Sequence, residues 1–119
     1  MLVLDNEQII LQSMRGLLEQ WGAEVLTAVD LEQAQAVLGE QPPDALLVDF
    51  HLDGGRTGGE AVTALRARFA SELPAIMITA DRGEACRQVA RELDIMVLNK
   101  PLKAGKLRAA LGTLLSSND

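Results

Sequence analysis

A chain of 119 residues has the length of one domain, expected here over residues 1–119, and is long enough to bury a real core. Its single cysteine, Cys86, excludes an internal disulfide and a thiolate metal cluster, which fits a reducing, cytoplasmic setting. A net charge of −6 opposes sequence-independent binding to nucleic acid or anionic lipid, and no apolar run approaches the ~18 residues that cross a bilayer, so neither contact is expected.

The chain opens on LVL (2–4), a short apolar run closed by Asp5 and Asn6. With no basic stretch ahead of it, this run is expected as a strand rather than a signal peptide. Ile10, Met14, Leu17, Leu18 and Trp21 recur at helical spacing, and Gly22 marks the stop. AEVLTA (23–28) alternates apolar and polar residues as a half-buried strand does. Asp30 with Gln33 has the spacing of a capping box, opening a helix that carries Ala34, Val37 and Leu38 and ends at Gly39 and Pro42-Pro43. DALLVDF (44–50) is apolar on both alternating faces, the signature of a central strand covered on both sides.

After a glycine-rich loop, Ala61, Val62, Leu65 and Phe69 form another helical stripe, and PAIMITA (74–80) is a second wholly apolar strand. RGEACRQVAREL (82–93) reads as a helix with few apolar positions, with Cys86 as a small packing residue. DIMVLNKP (94–101) holds a fifth strand, and Leu107, Ala110, Leu111, Leu114 and Leu115 make the last amphipathic helix. KPLKAGKLR (100–108) is locally basic but reads as a solvated helix start. Strands alternating with helices imply parallel strands joined by right-handed crossovers. Five such units suit a doubly wound, flavodoxin-like three-layer α/β sandwich of strand order 2-1-3-4-5 with five helices.

In that architecture every strand ends on the same edge, where ligands bind. The residues expected there are Asp5 and Asn6, then Asp49, Thr79 and Lys100, each from a different strand except the first pair. Hard oxygen donors around one point suit Mg²⁺, which takes few protein ligands and keeps several waters. Thr79 can donate to an anionic oxygen and Lys100 can set a charge beside it. Asp49, ionised between a cation and an ammonium, can attack phosphorus. Each residue also has a plainer reading: Asp5 or Asn6 as a helix cap, Thr79 as a satisfied strand-end hydroxyl, Lys100 as a surface lysine, Asp53 as a turn residue and His51 as an exposed loop residue. Their coincidence at one edge favours the functional reading.

The segments VLDNEQIILQSMRGLLEQWG, DALLVDFHLDGGRTGGEAVTALR, AIMITA and LNKPLKAGKLRAAL together resemble the receiver domains of two-component response regulators, over essentially the whole chain. The dialect DNE, WG and HLDGG is similar to receivers at the C-terminus of hybrid sensor kinases. The resemblance implies that Asp49 accepts a phosphoryl group from a phosphohistidine on a sensor histidine kinase or its phosphohistidine domain, separate or fused in one polypeptide. It implies Mg²⁺ held by Asp49, Asn6, the main-chain carbonyl of His51 and, through water, Asp5, with Thr79 and Lys100 binding phosphoryl oxygens. It also implies a cis bond at Lys100-Pro101, an isomer that an X-Pro bond makes inexpensive. Homodimerisation is left open.

Three departures stand out. Asn6 replaces the family's usual second acid and removes a charge from the metal site. Val97 stands three positions before Lys100, where the family usually has an aromatic switch residue. The loop after Asp49 is one residue longer than usual and lacks the Met-Pro often found there.

The rival reading is a pseudo-receiver, a protein-interaction module on the same fold that signals without phosphorylation. An FMN carrier needs a Ser/Thr/Gly phosphate loop after the first strand, where DNEQ would repel phosphate. A haloacid-dehalogenase-type phosphatase resembles the chain in its nucleophilic Asp but carries it after the first strand. On the leading reading the domain is no ordinary enzyme, because it catalyses only its own phosphorylation and dephosphorylation.

Overall fold

The computed structural model describes residues 1–52 and 56–116, so the turn expected at Asp53 lies outside the described residues. Ten elements alternate: β1 (Leu2–Leu4), α1 (Gln8–Gln20), β2 (Leu26–Ala28), α2 (Leu31–Leu38), β3 (Leu46–Val48), α3 (Gly58–Arg68), β4 (Ala75–Thr79), α4 (Glu84–Leu93), β5 (Met96–Asn99) and α5 (Ala104–Ser116). All neighbouring strands pair in parallel, in the expected order β2-β1-β3-β4-β5. Residues 45 to 50 are buried throughout, as a strand covered on both faces requires.

The twofold period of a strand divides the core between the faces. Leu2, Leu4, Leu46, Val48, Ala75 and Met77 pack with Leu31, Ala34 and Leu38 of α2, Ala61, Val62 and Leu65 of α3, and Cys86 of α4. Val3, Leu47, Ile76 and Ile78 pack on the other side with Leu11, Met14 and Leu18 of α1 and Leu107, Ala110 and Leu111 of α5. Cys86 is the expected packing residue, its Sγ 3.4 Å from Met77 Sδ.

Local signals explain several boundaries. Gly22 follows α1 at φ +87°, a conformation that β-carbons oppose. Asp30 caps α2 by accepting from Gln33 N at 2.7 Å. The Gln33 side chain reaches back to Val29 N at 2.8 Å, one residue before the position that a capping box would satisfy. A box with both bonds stands at Thr57 and Glu60, opening α3.

Two expectations are corrected. Val37 is 41% exposed: Leu31, Ala34 and Leu38 form the buried stripe of α2, and Val37, about 100° round the helix from Leu38, falls outside it. The second strand is limited to 26–28, since only those residues pair with β1.

Candidate functional site

Parity selects the face on which each strand-end residue falls. Asp5, Asp49 and Lys100 lie two residues beyond Val3, Leu47 and Leu98 and continue the face covered by α1 and α5. Thr79 continues Ala75 and Met77, on the opposite face. The three charged groups accordingly meet: Lys100 Nζ donates to Asp5 Oδ2 at 2.8 Å and to Asp49 Oδ2 at 2.9 Å. Asp5 and Asp49 are 3% and 7% exposed, so the contacts form largely out of water.

The remaining carboxylate oxygens take backbone donors. Asp5 Oδ1 accepts from Glu7 N at 2.9 Å and Asp49 Oδ1 from His51 N at 3.3 Å. Asp5 is not the cap of α1: the N-cap is Glu7, whose side chain makes no cap bond, and Asp5 accepts only the Glu7 amide ahead of the helix while its other oxygen faces Lys100. Burial pushes the Asp5 carboxyl above its ordinary pKa, although Lys100 and the Glu7 amide pull the other way. Burial alone would lower Lys100, but its bonds to Asp5 and Asp49 outweigh that and hold the ammonium above its ordinary value.

Backbone contacts fix the frame. Lys100 N donates to Thr79 O at 3.0 Å, which ties the end of β5 to β4, and the Lys100–Pro101 bond is cis. Thr79 is fully buried and its Oγ1 accepts from Asp81 N at 3.1 Å. Gly58 N donates to Phe50 O at 2.7 Å, and a β-carbon on Gly58 would lie 2.1 Å from Asp49 O. That approach requires glycine. Val97 is half-buried and packs against the core beside α4.

Asn6, the residue after Asp5, is exposed. His51 is exposed as expected, but its Nε2 lies 2.7 Å from Asp81 Oδ2. Asp81 carries no signal in the sequence beyond being an acid two residues after Thr79. Gly58 and the Thr57–Glu60 box lie outside the residues that apolar spacing singles out, although T-x-x-E before an apolar stripe is a legible start signal.

Two carboxylates facing one ammonium leave a unit of negative charge, which suits a hard cation. Among the described residues no three His, Cys, Asp or Glu side chains form a metal cluster. A transition-metal centre would need such a set. Mg²⁺, satisfied by one or two carboxylates, a carbonyl or amide oxygen and waters, fits the donors present. Among the described residues no helix is long and apolar enough to cross a membrane.

The response regulator receiver domain family model matches residues 1–112. The chain is 32% identical over 118 residues to the phosphate regulon transcriptional regulatory protein PhoB of Pseudomonas aeruginosa, covering 96% of this chain and 50% of that protein. It is 32% identical over 121 residues to the sensory/regulatory protein RpfC of Xanthomonas campestris, covering 98% of this chain and 16% of that one. The chain thus spans half or less of the length of these curated relatives.

Among solved structures, the Vibrio cholerae chemotaxis protein CheY4 superposes with a TM-score of 0.86 at 27% identity, over 96% of both chains. The receiver domain of NtrX from Brucella abortus gives 0.81 at 27% identity, over 97% of both. With its sheet order, strand-end charges and family match, the chain belongs to the response regulator receiver domain family of two-component signalling.

Proposed function

We propose that the chain, taken as one domain over 1–119, is a cytoplasmic phosphoacceptor. It takes a phosphoryl group onto Asp49 from a phosphohistidine of a sensor histidine kinase, fused or separate, in a Mg²⁺-dependent reaction. The observation that carries this reading is the Lys100 ammonium shared between Asp5 and Asp49 at 2.8 and 2.9 Å, at the carboxyl edge of the sheet.

In the transfer, an Asp49 carboxylate oxygen forms the new O–P bond as the P–N bond to the donor imidazole breaks. Lys100, already within hydrogen-bond reach of Asp49, supplies a positive charge for the phosphoryl oxygens, and the Thr79 hydroxyl supplies a donor from the other face. Asp5, Asn6, Asp49 and the His51 carbonyl are the residues to hold Mg²⁺. When bound, the ion would neutralise charge developing on the transferring group. Asp5 keeps Lys100 in place while leaving net negative charge for the cation.

The test is incubation with phosphoramidate or acetyl phosphate and Mg²⁺, followed by intact mass. One phosphoryl group should add to the wild-type chain and none to Asp49→Ala. Uptake persisting in that variant would remove Asp49 as the acceptor. No uptake by the wild type would leave the pseudo-receiver.

A further inference from the structure

The loops after β3 and β4 meet at a contact that the proposed transfer does not use. His51 Nε2 lies 2.7 Å from Asp81 Oδ2, and opposite a carboxylate that nitrogen carries the proton. Asp81 is tied on two other sides. Its Oδ1 accepts from Gly83 N at 2.7 Å, at the N-cap of α4, and its own N donates to Thr79 Oγ1 at 3.1 Å. At the far end, His51 N donates to Asp49 Oδ1 at 3.3 Å. A line of hydrogen bonds therefore runs from Asp49 through His51 and Asp81 to Thr79, joining residues from two strand ends.

We infer that Asp81 is a positioning residue: held by the His51 ring and the Gly83 amide, it fixes the Thr79 hydroxyl and the His51 amide around Asp49. This rests on the phosphoacceptor reading, since only a reaction at Asp49 makes that alignment matter. The bond from Asp81 N occupies a lone pair of Thr79 Oγ1, which leaves the hydroxyl proton to serve as the donor. The His51 ring anchors the same residue whose amide touches the Asp49 carboxylate, so loosening the ring loosens the amide. The side chains of His51 and Asp81 are 63% and 26% exposed. An ion pair so open to water adds little to folding, so its effect is expected in the reaction rather than in stability.

The test compares phosphoramidate-driven uptake, at saturating Mg²⁺, in the wild type, His51→Ala, Asp81→Ala, the double variant and Asp81→Asn. Each alanine variant should slow uptake on Asp49 by about fivefold, within the cost of misplacing reacting groups. The double variant should be no slower than the slower single one, because both remove one linkage. Asp81→Asn keeps an oxygen for Gly83 and can donate its amide N–H to Nε2 of the His51 ring in the tautomer protonated at Nδ1, and should recover most of the rate. Urea midpoints should stay close to the wild type in His51→Ala and Asp81→Asn, and should fall in Asp81→Ala, which also loses the Gly83 bond at the start of α4.

Wild-type rates in the alanine variants, additive losses in the double variant, or no recovery in Asp81→Asn would overturn the inference while uptake by the wild type upholds the acceptor. A wild type that takes up no phosphoryl group overturns both.

Discussion

Lys100 brings one positive charge to two buried carboxylates, and the size of the remaining negative charge depends on position 6. An Asp there would add a charge where Asn6 offers only an amide oxygen. A unit pair at ~4 Å near a protein surface is worth about 4 kcal/mol at an effective dielectric of ~20. Repulsion from Asp5 and Asp49 offsets much of it, leaving a net effect on the order of 1 kcal/mol, or several-fold in affinity. Asn6→Asp is expected to tighten Mg²⁺ binding by that factor, followed by amide NMR shifts during titration. Unchanged or weaker binding would take position 6 out of the ligand set.

Gly58 is the other decisive single residue. An added β-carbon meets the Asp49 carbonyl at 2.1 Å, and backbone on both sides leaves little to yield. Gly58→Ala should therefore cost about 1–3 kcal/mol in urea unfolding, the range of core overpacking. A neutral result would mean that the start of α3 can shift.

Among the elements, α4 is the one most open to movement. It buries only Cys86 and Ala90, and its N-terminus hangs on Asp81 and so on Thr79. With Val97 in place of an aromatic, the route from Asp49 to the surface is expected to run through Thr79, the 80–83 loop and α4. Amide exchange with and without beryllofluoride should change most in that segment. A change confined to α1 and α2 would contradict the route.

The same helix carries an exposed pair, Arg91 Nη2 to Glu84 Oε1 at 2.7 Å, and the bond from Arg91 holds the Glu84 carboxyl below its ordinary pKa. A lowered carboxyl contributes stability that is present above the unfolded pKa and is lost as pH falls through the folded one. Arg91→Ala should raise the Glu84 pKa toward its ordinary value in a carboxyl NMR titration. Any stability gap between variant and wild type should close with acid. A gap that widens as pH falls would contradict the sign.

For the whole molecule, the sheet separates two apolar layers, one under α2, α3 and α4 and one under α1 and α5. Leu65 lies in the first and Ile76 in the second, both fully buried. Leu65→Ala should cost roughly 2–5 kcal/mol and Ile76→Val roughly 0.5–1.5 kcal/mol. Because the residues share no cluster, the double variant should show the sum to within about 0.5 kcal/mol in denaturant unfolding. A larger departure would mean that the sheet transmits strain between its faces.

Apolar periodicity by itself determined the element order, the parallel sheet and the burial of 45–50, because burial on one or both faces is written directly in the spacing of apolar residues. It also determined that Asp5, Asp49, Thr79 and Lys100 end strands, and a parallel sheet puts all such ends on one edge. Only the tertiary structure decided which of them touch. Side-chain parity sets Asp5, Asp49 and Lys100 on one face and Thr79 on the other, and a one-residue change in strand ending would have exchanged them. The partnership of His51 with Asp81, and the need for glycine at 58, were illegible in the chain because their contacts join loops and backbone distant in sequence, where no period connects the residues. Val37 and Leu38 are adjacent apolar residues about 100° apart on α2, and only the seat of Leu31 and Ala34 against the core decides which of the two faces the sheet.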